Sequence, residues 1–286
     1  SATVEAIGFD SQVGDGASPP TDDWMDILLE HVLGDVVERD GITVSSHSGT
    51  ALDLGASGDL YDLEDGIIPL VTAGGVSRWA RIAADAGDGS YTLGADPGIT
   101  ATLVPGTRMF RWDGSTDLTS TLTAVYDQDD QQYTMTGVRA GSLSVSIQPD
   151  QQARLAYEFQ VDDITATSKS LTANDGKPGS TPLRTACVYV NDTEVDVASI
   201  EIDFGLTAQA RVSTCQDTGR SEMLLVGLSP TITINPIFTN TLLDLKRNQT
   251  ERNIIVQLGT GTRSIAFYAP VAQVTEAARE DANGLQ

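Results

Sequence analysis

Basic side chains are scarce in this chain: 17 Lys and Arg stand against 40 Asp and Glu, a formal charge of −23 at pH 7. A surface of that sign repels phosphate and anionic headgroups, which argues against a conventional nucleic-acid binder or a membrane-surface protein. The shortage is uneven, because the first 77 residues hold fifteen carboxylates and a single cation, Arg39. Cysteine is almost missing: Cys187 and Cys215 are too few for a disulfide framework, lack the spacing of a metal site, and read as reduced thiols. Aromatic residues make up 6%, little for a sugar-stacking surface. No run of about 18 apolar residues occurs, and Ser1 to Glu5 shows no basic region leading into an apolar one. The expectation is a soluble chain that works in the cytoplasm.

Catalytic constellations are equally sparse. Of the two histidines, His31 falls in a helical pattern and reads as a packing residue, while His47 lies in Ser45-Ser46-His47-Ser48-Gly49 without the Gly-x-Ser-x-Gly pattern of a hydrolase nucleophile. The acidic run Asp127-Gln128-Asp129-Asp130 lacks the turn glycine and distal Glu of a calcium loop and reads as a solvated hairpin turn, as does the segment from Asp113 to Asp117. Gly259-Thr260-Gly261-Thr262 precedes neither a helix nor a Lys-Ser/Thr pair, so it is a hairpin loop rather than a phosphate cradle. The sequons at Asn191 and Asn248 matter only in a secretory pathway. No catalytic residue, cofactor or metal ligand is expected.

What the chain does have is length, 286 residues with 40% apolar content, and many short runs of period-two alternation broken by Gly, Asp and Pro. Strands are predicted at 142–147, 154–161, 187–190, 198–204 and 264–268, each apolar on one face and polar on the other, as in a sheet wetted on one side. Further strands at 67–72, 78–83, 90–93 and 99–103, separated by turns such as Asp65-Gly66 and Gly74-Gly75, suggest a small inserted barrel at 50–106. Two helices are predicted. The first is capped by Thr21 or Asp22, runs from Trp24 to Leu33 and stops at Gly34; the second covers 240–248. Each follows an extended apolar segment, which suggests a duplicated unit. The stretch from Ser168 to Pro182 is long for a simple connection.

The order of these segments resembles the tail tube proteins of long-tailed bacteriophages. The run from Tyr133 to Ile147, with Gly137 and Gly141 ahead of an alternating strand, is similar to that family's turn-then-strand segment, and a hairpin return follows at 151–161. Residues 197–206 resemble the strand carrying its ring contacts, and 227–238 lead into a short helix and a final hairpin at 253–274. Trp24 to Gly34 is similar to the helix of a first repeat, and 55–105 to an inserted barrel. The resemblance implies a mainly β fold of duplicated sandwich units, each with a short helix, the first at 1–49 and 107–135, the second at 136–286, with the small barrel at 50–106 between them. It also implies a structural subunit of a virion tail, assembled in the host cytoplasm into stacked rings that conduct DNA during ejection. Expected partners are further copies of the chain, as trimers with pseudo-six-fold symmetry or as hexamers, together with tape measure, tail terminator and distal tail proteins; double-stranded DNA passes without specific binding, and no membrane is involved. On the long strands, Asp150, Glu158, Asp162 and Glu201 are the expected lumen-facing acids. The alternatives are another tail ring or adaptor protein, or a carbohydrate-binding adhesion module with Trp79, Trp112 and Tyr91 as its aromatic platform.

Overall fold

The computed structural model describes residues 5–8, 24–55, 61, 63, 66–112, 122–128, 130–148, 151, 153–168, 185–212, 214–215, 220–236, 251–261 and 263–275. They are mainly β. In chain order they form β1 (Glu5–Gly8), α1 (Trp24–Leu33), β2 (Gly34–Arg39), β3 (Ile42–Thr43), β4 (Ser46–Ser48), β5 (Ala51–Asp53), β6 (Ile67–Val71), β7 (Ser77–Asp85), β8 (Ser90–Leu93), β9 (Leu103–Val104) and β10 (Thr107–Trp112). Then come β11 (Leu122–Gln128), β12 (Gln131–Ile147), β13 (Arg154–Gln160), β14 (Asp163–Ser168), β15 (Ala186–Val190), β16 (Thr193–Val195), β17 (Val197–Asp203), β18 (Leu206–Val212), β19 (Arg220–Leu228), β20 (Thr231–Pro236), β21 (Arg252–Thr260) and β22 (Arg263–Ala272). The helix α1 passes straight into β2 at Gly34, whose φ of 89° is open to glycine at little steric cost. The second expected helix, at 240–248, and the long stretch after Ser168 lie outside the described residues. The strand expected at 99–103 shrinks to Leu103–Val104.

Three sheets stack in layers. Sheet I has the order β16-β15-β21-β22-β1-β10-β2, so it joins strands from both ends of the chain. Sheet II is built on β12 with β11, β13, β14, β17 and β20, and β18 pairs with β19 in a separate ribbon. Sheet III has the order β3-β9-β6-β7-β8-β5-β4 and begins before residue 50. Sheet III curls until its two ends are halves of one bent segment: Val44 N–H bonds Thr102 O on the β9 side, and Ser45 N–H bonds Asp53 O on the β5 side.

The expectation that 264–268 forms a strand wetted on one face is corrected by the structure. In β22, Ile265, Phe267 and Ala269 enter the core between sheets I and II, whereas Ala266 and Tyr268 enter a second core shared with sheet III. Neighbouring strands divide in the same way: Val256 and Leu258 face the first core and Ile255 the second, Phe110 the first and Met109 the second. A sheet covered on both sides needs apolar residues at consecutive positions, and its few polar groups must find partners. Gln257, 2% exposed, accepts from Trp79 N–H at 3.1 Å and donates to Ser77 O at 3.2 Å, while Trp79 Nε1–H donates to Ser264 Oγ at 3.1 Å. At the rim of this junction Arg81 holds the Asp192 carboxylate through Nε and Nη2.

Candidate assembly surface

The longest strand, β12, organises sheet II. Along one side it pairs first with β14, from Gln131↔Ser168 to Thr136↔Asp163, and then with β13, from Arg139↔Gln160 to Ser146↔Arg154. Along the other it pairs with β11 over its first half and with β17 over Ser144–Ile147, and β20 follows β17. The two halves meet at Gly137, whose φ is 65° and whose missing side chain leaves room for Asp162; a Cβ there would collide with the Asp162 carboxyl.

In the second half, alternation separates the faces cleanly. Leu143, Val145 and Ile147 of β12, with Ile200 and Ile202 of β17, are buried in the main core, and Leu155, Tyr157, Ile232 and Ile234 pack against it. Burial pushes the Tyr157 phenol up to about 12, and its hydroxyl has no hydrogen-bond partner. The opposite face follows from the register: Ser142 lies beside Glu158, Ser144 between Ala156 and Asp203, Ser146 between Arg154 and Glu201, and Thr231 and Thr233 continue the rows on β20. Glu158, Glu201 and Asp203 are exposed. This face is polar and mainly acidic, with Arg154 as the one cation and no aromatic or large aliphatic side chain at these positions.

Of the four acids expected in the lumen, the structure brings Glu158 and Glu201 onto one face. Asp162 sits elsewhere, half-buried where β13 gives way to β14, with Oδ1 lacking a hydrogen-bond partner. Asp150 lies outside the described residues. Sequence reasoning missed Asp203, although it stands two positions from Glu201 on the same strand, the spacing that places both on one face.

Among the described residues, the lateral edges of sheet II are unpaired. The outer side of β20 presents Thr231-Ile232-Thr233-Ile234-Asn235-Pro236, four β-branched residues and no charge. The opposite edge is β13 and β14. Beyond the packed region, β11, the first half of β12 and β14 form a three-stranded blade whose register puts Tyr126, Tyr133 and Ala166 in one row and Ala124, Met135 and Ile164 in the next on the same face. Tyr126 and Ile164 are 51% and 55% exposed, and the Tyr126 and Tyr133 rings lie 6.3 Å apart. At the blade tip Asp130 takes a φ of 59° in the tight turn from β11 to β12. Uncharged strand edges and a contiguous apolar face are features that monomeric β proteins suppress.

Of the three residues proposed for a sugar platform, two are buried, and the Trp112 side chain lies outside the described residues. Trp79 and Tyr91 are each 3% exposed; Tyr91 donates its hydroxyl proton to Tyr61 O at 2.8 Å inside the second core. His47 is likewise occupied, its Nδ1 accepting from Ala101 N–H at 3.1 Å. No disulfide joins Cys187 and Cys215. Among the described residues, no group of three or more His, Cys, Asp or Glu side chains is arranged to hold a metal ion, and no helix is long and apolar enough to cross a membrane. Compared with known proteins, the chain matches no family model and no curated sequence.

Proposed function

We propose that the chain is a structural subunit that assembles edge to edge through sheet II into a ring, and that stacked rings form a tube of the phage-tail kind with an acidic bore. The observation that carries this reading is the combination in sheet II of one core-facing side, one small acidic side and two open edges. In the order β13-β12-β17-β20 every neighbour is antiparallel, so β13 and β20 run in opposite directions. When a second copy is placed alongside by rotation about an axis along the strands, β20 meets the next β13 antiparallel. A heterologous contact of this kind closes into a ring and leaves no edge open. The bore is then lined by Glu158, Glu201, Asp203, the serines and threonines between them and one cation, Arg154, in the row of Glu201, a surface whose net charge repels phosphate. Sheet III, on the far side of sheet I, becomes the outside of the ring.

The width of the stave favours six copies over three. Three copies supply twelve strands; at about 4.8 Å spacing and about 40° tilt their backbones enclose about 24 Å, which inward side chains narrow to under about 15 Å. Six copies supply twenty-four strands and about 48 Å, room for a duplex about 20 Å wide. The duplication that would let three chains do the work of six calls for a second stave per chain, and sheet I, covered on both faces, does not supply it among the described residues. The apolar blade continues β12 along the strand direction, where a stacked ring would meet it. Electron microscopy of the purified protein at rising concentration tests the reading. Rings or hollow tubes with six-fold axial views are expected, and a monodisperse monomer at all concentrations would overturn it.

A further inference from the structure

The helix α1 packs on both sheets at their common border. Leu29, Val32 and Leu33 enter the main core with Phe110 of β10 and Ala140 of β12, and Val36 of β2 packs against them. Between these apolar residues the helix also buries His31, 5% exposed, whose Nδ1 has no hydrogen-bond partner. On β12 the residue next to Ala140 is Arg139, a permanent cation that is itself 5% exposed and lies close enough to act on the imidazole. The other charges on the strand faces turned toward α1 are Glu38 of β2 and Arg108 of β10, in the row of Val36 and Phe110, and these two are engaged with each other in an ion pair. Glu30, on the helix itself, is exposed. Among the described residues no carboxylate is hydrogen-bonded to His31, and the charge that acts on its imidazole is the buried Arg139 guanidinium. Burying a second cation beside the first is unfavourable in a low-dielectric interior, and the cheapest escape is for the helix to leave.

We infer that α1 is a proton-released clamp: protonation of His31 beside Arg139 undocks the helix from β12 and opens the border between sheets I and II, while the joint between sheets I and III stays closed. Burial, and then the Arg139 charge, lower the affinity of His31 for its proton to a value of about 4 against an ordinary 6.5. The folded-state value is depressed, so docking is at full strength above about pH 6.5 and weakens as pH falls toward 4. Across that window the opening constant of α1 rises about tenfold per pH unit, to about 300-fold in all. At its centre the joint between sheets I and III is tied by neutral hydrogen bonds around Gln257 and Trp79, which do not titrate there, and at its rim by the ion pairs of Arg81 with Asp192 and Arg78 with Glu194.

Hydrogen exchange read by mass spectrometry at matched intrinsic rates tests this, with 24–33 compared with 252–272 in the full-length protein and in His31→Gln. In the wild type, protection of 24–33 relative to 252–272 should fall about tenfold per pH unit below 6.5, and in H31Q it should stay level. Equal loss in both proteins overturns the inference. Because H31Q could fold poorly, a second readout uses the wild type alone. The chain has two histidines, so their imidazole protons are readily resolved in a proton NMR titration. Titration of His31 well below 6.5, together with loss of α1 protection, supports the clamp, and titration at or above 6.5 overturns it.

Discussion

Sheets I and II are made of strands of similar length and are both antiparallel, yet they meet water differently. In β22 every residue from Ser264 to Ala269 is buried, whereas in β17 Ile200 and Ile202 are buried and Glu201 and Asp203 are exposed. Sheet I is a central layer with a partner on each face; among the described residues, sheet II has one partner and leaves a face and two edges unfilled. The difference assigns separate tasks. A layer gripped from both sides cannot be offered to another molecule without taking the fold apart, while a stave covered on one side can be joined at its edges with the core left intact.

The sharpest way to break this comparison is to strip one face of sheet I. Replacing residues 42–104 by a short linker between β2 and β10 exposes Met109, Ile255, Ala266 and Tyr268 together. The shortened chain is expected to lose cooperative folding altogether, seen as aggregation on size-exclusion chromatography; a cooperative urea transition in it would show that sheet III merely decorates sheet I. Smaller, and confined to the other face, is the effect of Phe267→Ala. This ring meets Phe204 edge-on at 6.1 Å, so its removal cuts a contact between sheets I and II and should lower stability in urea unfolding by about 3–5 kcal/mol. Least disruptive to the fold should be Glu158→Gln, Glu201→Gln and Asp203→Asn, each within about 0.5 kcal/mol of wild type because the side chains point into water. Their effect belongs to assembly: with fewer like charges brought together in the bore, the combined variant should associate at lower salt than the wild type, which light scattering across a salt series would detect.

Period-two alternation made the strands of sheet II legible, and with them Glu158 and Glu201 as solvent-facing acids, because one face of that sheet really is wet. The same rule misled at β22, and its neighbour β21 is buried in the same way. Ser264 and Gln257 look like solvent-facing residues in a local window, but each is buried by a hydrogen bond to Trp79, about 180 positions away in the chain, and no local pattern carries that information. Asp162 leaves that face for a local reason. Alternation counted along 154–168 assumes one regular strand, and the chain breaks step opposite Gly137, turning the carboxylate in against the glycine. The expected strand at 99–103 drew on Ile99 and Ala101, which do have packing roles in the second core, but from extended backbone ahead of a two-residue strand. The blade was hidden for a different reason: Tyr126, Met135 and Ile164 come from three segments, and only the register brings them to one face.

The central claim, that copies join through the edges of sheet II, is tested most directly by sedimentation velocity of the wild type beside Asn235→Glu, a further carboxylate set on the neutral edge strand β20 at an exposed position, where it would add like charge at the seam with β13 of the next copy. If the edges join, the wild type should sediment as a closed ring and the variant as a monomer with an unchanged thermal unfolding curve. A variant that assembles as the wild type does, or a wild type that stays monomeric at every concentration, would contradict it.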